Sequence, residues 1–284
     1  MALKGVIAAA ALLALCGAAG VAQAKTTEKE PRNDYHWSFE GPFGKFDQQQ
    51  LQRGFKVYQE VCSACHSMNL MAYRNLGQPG GPFYDPKYKN PADNPYAKAI
   101  AAETKVADID SETGDANTRP ATPADHFKAP FANEAAARAS NGGALPPDLS
   151  VIAKGREEGP RYIYSILTGY KPPPAGLTVP PGKYYNPYMP GDLGSFWKGD
   201  PKKVPEGGFI AMPFQLTPGR VTFDDKTPST TDQQAKDVVA FLMWSAEPMM
   251  EQRKQMGLAV MIFLLLFAGV VYGAYRNIWR NVSH

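Results

Sequence analysis

Apolar residues recur with a helical period in only a few stretches of this chain, and those stretches define its framework. In "DQQQLQRGFKVYQEVC", residues 47–62, Leu51, Phe55, Tyr58 and Val61 fall at spacings of 4, 3 and 3, one face of an α-helix, behind Asp47 in the N-cap position. "STTDQQAKDVVAFLMWSAEP", residues 229–248, repeats the pattern with Ala235, Val238, Leu242 and Ser245 or Ala246. Thr231 and Gln234 are set there as a capping box and Pro248 as the stop. Two shorter helices are predicted between them. One is alanine-rich over 132–140 and stopped by "NGG"; the other lies in "RYIYSILTGY", flanked at its start by Arg156 and Arg161 and ended by Gly169 and the prolines at 172–174. Residues 77–129 and 171–216 read as long loops rich in Pro, Gly and polar residues, with "ADIDSETGD" a solvated acidic stretch. Residues 25–45, including Trp37 and Phe43, read as a surface segment laid over the domain. No alternating strand pattern of any length and no internal repeat is visible. The fold class is therefore mainly α, with long ordered loops.

Two uniformly apolar runs break the amphipathic pattern. The first lies in "MALKGVIAAAALLALCGAAGVAQAK" and combines one lysine, an apolar run and Ala22-Gln23-Ala24, which is the pattern of a secretory signal peptide cut after Ala24. An uncleaved anchor would want a longer run. A lipoprotein start at Cys16 would want a smaller residue than Leu15 before it. The second run, "GLAVMIFLLLFAGVVYGAY", holds 19 residues without a charge, about 28 Å of helix and enough to span a bilayer. Arg276 and Arg280 follow it with no acid, so the positive-inside rule puts the C-terminus in the cytoplasm. Tyr272, Tyr275 and Trp279 suit the aromatic belt at that exit. The expected organisation is a signal peptide over 1–24, an exported domain over 25–250, and an anchor with a short tail over 251–284.

Composition narrows the function classes. The 284 residues suit one substantial domain with appendages. Net charge is +3, and loss of Lys4 with the leader lowers it by one to +2. That is too near neutral for a nucleic-acid partner, and no basic stripe interleaved with aromatics is present.

The chemistry concentrates in "CSACH", where Cys62 and Cys65 lie three positions apart and His66 follows directly. This is the attachment pattern for a c-type haem: two thiols add across the porphyrin vinyl groups and the imidazole becomes an axial iron ligand. A thioredoxin-like pair would want a βαβ pattern, absent here. A zinc site would want a second ligand pair, and His36, His126 and His284 have no cysteine or histidine partner near them in sequence. A plain disulfide leaves His66 idle. Export agrees with haem, whose c-type attachment occurs outside the cytoplasm.

The sixth coordination position separates an electron carrier from a catalyst or gas sensor, because a sulfur ligand closes the site to small molecules. Met68 and Met71 follow His66 too closely to reach the other haem face. Met243 sits in an amphipathic helix, where methionine fills core gaps. Met212 in "GGFIAMPFQ" and Met189 in "YNPYMPG" remain, with His126 as the histidine rival. Pro213 stiffens the chain beside Met212, and Gly207 and Gly208 let that loop approach the ring.

With these residues in hand, the chain resembles the cytochrome c1 family, the membrane-anchored haem subunits of ubiquinol:cytochrome c oxidoreductase (bc1) complexes. The likeness runs through "CSACHSMNLMAYRNL", "ANEAAARASNGGALPPDLS", "LTGY", "YYNPYMPG", "IAMPF" and "AKDVVAFLMWSAEPMMEQRKQMG" to the terminal span. It implies a class I cytochrome c-like helical domain with one covalent haem c on Cys62 and Cys65 and axial ligands His66 and Met212. Arg156 and Tyr162 correspond to the residues that meet the haem propionates, and Pro146, with Pro147, to packing at the haem edge. The implied partners are cytochrome b, the Rieske iron-sulfur protein as electron donor, a soluble or tethered c-type cytochrome as acceptor, and membrane lipid. No independent substrate chemistry is implied for this chain. The implied location is a bacterial inner membrane with the haem domain in the periplasm. Acids at Asp108, Asp110, Glu112 and Asp115 are placed to steer a basic acceptor. Some bacterial members have a disulfide in the loop before the axial methionine, and this chain has no cysteine left to form one; prolines that restrict the unfolded chain stand in for part of its effect.

Overall fold

Asp47 caps the first helix, α1 (Gln48–Glu60), by accepting from the backbone N–H groups of Gln49 and Gln50, and the stripe predicted from Leu51 onward turns inward. The structure, a computed structural model, describes residues 29–281; the leader and its predicted cleavage lie outside them. A long C-proximal helix, α5 (Thr231–Ala246), crosses α1 and forms the central pair of the domain. Gly54 permits the close crossing, since a Cβ there would lie 2.0 Å from the carbonyl oxygen of Asp237. Arg53 Nε donates to Asp237 Oδ2 at 2.8 Å and Gln50 Nε2 to Oδ1 at 3.2 Å, so the fully buried carboxyl is paired. Burial raises the pKa of Asp237 even with the guanidinium opposing it. Around this pair lies one core in which Phe55, Tyr58, Phe127 and Phe241 contact through their ring edges and faces.

Helix α2 (Pro95–Ala102) and strands β1 (Lys105–Ile109) and β2 (Ala116–Pro120) occupy the region predicted as loop. Asn94 caps α2 and Pro95 opens it, a start signal present in the sequence. The antiparallel β1–β2 hairpin runs Lys105 opposite Pro120 to Ile109 opposite Ala116. It shows no alternation because almost every residue in it is exposed on both faces. Helix α3 spans Glu134–Ser140, two residues shorter than predicted, because Asn133 takes the cap. Helix α4 (Gly159–Thr168) packs on α5. The capping-box prediction for α5 is wrong by one residue: Thr230 accepts from Gln233 N–H, and Gln234 instead donates to the carbonyls of Thr217 and Ser229.

The 171–216 loop holds a second, short antiparallel pair, β3 (Tyr184–Asn186) with β4 (Gly208–Ile210), over a small cluster of Leu177, Tyr185 and Leu193. Strands of three residues are too short to register as a pattern. The N-terminal segment is only partly superficial: Trp37 and Phe39 are buried, and Trp37 packs edge-on against Tyr164 of α4. Helix α6 (Met250–Trp279) leaves the domain with a mean hydropathy of 2.4 in its most apolar window. It is long and apolar enough to cross a membrane, and its apolar side chains from Met256 onward are exposed.

Candidate functional site

Helix α1 ends at Glu60, and the chain winds directly into one turn of 3-10 helix, Cys62–Ala64. The Cys62 carbonyl accepts from the N–H groups of Cys65 (3.1 Å) and His66 (2.9 Å). Both thiols and the imidazole therefore sit on one turn. Cys62 is half-buried, Cys65 is exposed, and the two are free thiols. Burial, with Cys65 adding to it, pushes the Cys62 thiol up to about 12.

His66 is fixed by a partner far away in sequence. Its Nδ1 lies 2.8 Å from the carbonyl oxygen of Pro147. A carbonyl only accepts, so Nδ1 carries the proton and Nε2 keeps its lone pair. Burial lowers the imidazole's pKa, with the Pro147 hydrogen bond and the charge of Asp148 acting the other way. A neutral ring with a free Nε2 is the ligand form.

The 147–150 segment is stitched to the chain after His66. Ser67 Oγ donates to Asp148 Oδ2 at 2.7 Å, Asn69 N–H to the same oxygen at 2.8 Å, and Leu70 N–H to Ser150 Oγ at 3.0 Å. Leu149 N–H returns a bond to the Ser67 carbonyl at 2.8 Å. Although burial pushes Asp148 upward, hydrogen bonds from Ser150, Asn69 and Ser67 hold its carboxyl below the ordinary value. From the other side, Phe127 N–H donates to the Met71 carbonyl and Tyr73 N–H to that of Asp125. Sequence reasoning assigned Pro147 to packing and missed both its carbonyl and Asp148. The Asp-x-Ser spacing, in which Asp148 Oδ1 accepts from Ser150 N–H, was the available signal.

Met212 lies just beyond β4, half-buried, its carbonyl accepting from Tyr170 Oη at 2.8 Å. Tyr170 stands two residues beyond the end of α4, the helix that also bears Tyr162. The Arg156 guanidinium lies 5.9 Å from the Tyr162 ring centroid, so these two residues are together. Pro146 is half-buried beside Pro147. Met189 is half-buried in the turn after β3, and His126 is exposed, with Nδ1 2.7 Å from the Asn69 carbonyl. Met68 and Met71 are buried in the core. Gly207 and Gly208 have a structural role of their own. Gly207 has φ +103°, and a Cβ there would meet Pro187 Cα at 2.4 Å, so the glycines let β4 close on the 186–191 turn. A surface cleft of about 520 Å³ beside Tyr170, Lys171, Tyr184 and Phe214 contains none of the candidate site residues.

Two thiols, an imidazole with Nε2 free and no competing bond between the sulfurs form a donor set that fits a c-type haem. The acids do not offer a rival: among the described residues no three His, Cys, Asp or Glu side chains cluster as metal ligands. Comparison with known families agrees, since the profile of the Cytochrome C1 family matches residues 37–282. The chain belongs to the cytochrome c1 family. It is 39% identical to "Cytochrome c1" of Rhodospirillum rubrum, covering 99% of this chain and 98% of that one. It is 43% identical to "Cytochrome c1 1, heme protein, mitochondrial" of Arabidopsis thaliana, over 88% of this chain and 72% of the relative. To "Cytochrome b/c1" of Bradyrhizobium diazoefficiens it is also 43% identical, over 91% of this chain but only 36% of the longer relative. For a cytochrome c1 family member, the turn at Cys62–His66 and the 147–150 segment are the parts of the fold that hold the donor set together.

Proposed function

We propose that this chain is the haem-carrying, membrane-anchored subunit of a bc1 complex. It relays single electrons from the Rieske iron-sulfur protein to a soluble or tethered c-type cytochrome. Haem c bound here supplies a one-electron redox centre. Cys62 and Cys65, both free thiols, would hold it as thioethers through its vinyl groups. His66 offers Nε2 while its Nδ1–H stays on the Pro147 carbonyl, which fixes the ring's orientation and strengthens it as a donor. Met212 would offer its thioether as the second protein ligand, which would close the iron to small molecules. Arg156 and Tyr162 would meet the propionates, and Pro146 would pack against the haem edge. The signal peptide over 1–24 exports the domain, α6 pins it to the bacterial inner membrane, and the C-terminus faces the cytoplasm.

The observation that carries this reading is the 2.8 Å contact between His66 Nδ1 and the Pro147 carbonyl, which selects the ligating tautomer within a haem-attachment motif. Of the acids proposed to steer a basic acceptor, Asp108 is 3.5 Å from Arg119 and Asp110 accepts from its own turn. Glu112 and Asp115 complete the exposed hairpin end. The deciding test is redox titration with visible spectra of the purified complex, repeated on Met212→Leu. The variant should keep covalent haem, fall in potential, and bind carbon monoxide when reduced, whereas the native protein should not. Carbon monoxide binding by the native protein would remove Met212 as a ligand, and a denaturing gel without covalent haem would remove the whole assignment.

A further inference from the structure

One exposed aromatic residue is out of place in the otherwise well-packed N-terminal segment. Trp37 and Phe39 are buried and Phe46 packs partly against the core, but Phe43 between them is 75% exposed. It forms the tip of a tight turn, "GPFGK", residues 41–45. Gly41 has φ +72°, and a Cβ on Gly44 would fall 2.0 Å from the Glu40 carbonyl oxygen. The turn is thus a fixed presentation of Phe43, not a loose loop. Lys45 beside it is exposed too.

The turn is fastened to the base of α6. Lys254 Nζ donates to the carbonyls of Phe39 at 2.6 Å and Gly44 at 3.2 Å, and Phe46 N–H donates to Glu251 Oε1 at 2.9 Å. The uncharged run begins at Gly257, three residues after Lys254, which is about 4.5 Å along a helix axis. The turn is therefore bound within about one helical turn of the start of the apolar span, the depth where aromatic rings and snorkelling lysines meet headgroups.

We propose that the 41–45 turn is a second membrane contact, in which Phe43 inserts among the lipid headgroups and upper acyl chains while Lys45 binds anionic headgroup phosphates. The contact sets the tilt of the haem domain over the bilayer, because a single helix alone leaves the domain free to lean. It rests on the reading of α6 as a membrane span and is independent of the haem chemistry.

Site-directed spin labels on the full haem-loaded chain in nanodiscs containing phosphatidylglycerol test it. Phe43→Cys, Glu112→Cys on the hairpin and Leu265→Cys within α6 are compared, with the labelled unsubstituted chain as blank. Pro42→Cys replaces the first site should Phe43→Cys fail to fold. The oxygen-to-nickel-chelate accessibility ratio at 43 should exceed that at 112 severalfold and approach that at 265. In phosphatidylcholine alone, or with Lys45→Glu, it should fall toward the hairpin value; an unchanged ratio overturns the lysine contact. Equal ratios at 43 and 112, with 265 shielded from the chelate, overturn the turn proposal alone. An aqueous ratio at 265 overturns the span and the turn with it. In the intact complex, protection of residue 43 from both oxygen and chelate would mark a protein partner in place of lipid, and overturn the proposal as well.

Discussion

The two sides of the proposed iron site are held by different means. The histidine side is clamped between 147–150 and 121–127 by hydrogen bonds that reach from Ser67 to Tyr73, with Asp148 alone accepting from Ser67, Asn69 and Ser150. The methionine side belongs to a loop with its own small cluster of Leu177, Tyr185 and Leu193, tied back by Tyr170 to Met212 and by buried Asn186 to the Ile166 carbonyl. The histidine segment is thus strongly hydrogen-bonded, whereas the methionine segment is set by loop packing. Each side can therefore be loosened without the other.

The largest effect is expected at Gly207→Ala. Its φ of +103° is costly for any side chain, and the new Cβ would overlap Pro187 Cα at 2.4 Å. Left-handed strain costs about 1–3 kcal/mol and an overlap with backbone adds to it, so destabilisation of about 3 kcal/mol or more is expected. Because the damage falls on the β3–β4 loop, carbon monoxide should bind to the reduced variant while covalent haem is retained. Loss of haem attachment, or an unchanged melting temperature, would erase the distinction between the sides.

Asp148→Ala attacks the opposite side. It leaves Ser67 Oγ and the N–H groups of Asn69 and Ser150 without their acceptor. At about 1–3 kcal/mol per stranded donor, partly relieved by water at this half-buried position, a loss of about 2–3 kcal/mol is expected. Stability alone is a structural readout, so the spectrum and the potential are needed as well. Both should shift if Asp148 positions the Pro147 carbonyl against the imidazole, and Asp148→Asn should restore part of the shift by keeping an acceptor oxygen. A destabilised protein with native potential would show that the segment supports the fold and not the ligand.

The same division explains what could be read from residues alone. Cys62, Cys65 and His66 are consecutive on one turn, so their chemistry is local and legible. The helices α1 and α5 were legible because each buries a full stripe. On the methionine side three candidates stayed open until family likeness chose Met212, since its anchor, Tyr170, is 42 residues distant. Asp148 and the Pro147 carbonyl escaped for the same reason, acting across 79–81 residues. The β1–β2 hairpin was invisible because strand alternation is written only when one face is buried, and Ile109 there is 69% exposed.

The smallest expected effect sharpens the comparison through pH. Asp125 in the 121–127 segment accepts from Arg119 Nη1 at 2.7 Å and Nη2 at 2.9 Å, and from the N–H and hydroxyl of Thr122 at 2.7 and 2.8 Å. The Arg119 guanidinium and then the Thr122 donors hold its carboxyl well below the ordinary carboxylate range. A carboxyl whose pKa is depressed by folding stabilises the fold fully above its unfolded value, about 4, and loses that contribution as pH falls toward the folded value. The melting temperature of the native protein should therefore exceed that of Asp125→Asn at neutral pH, and the gap should close in acid. It should also shrink in high salt, because the pair lies at the surface. Arg119 retains Asp108 at 3.5 Å in the variant, which keeps the gap small. The carbonyl of Asp125 holds Tyr73 N–H, so the loss should be accompanied by faster amide exchange at residues 70–74 and leave the Met212 loop unchanged. Equal acceleration in both regions would mean that the two sides of the site open as one unit.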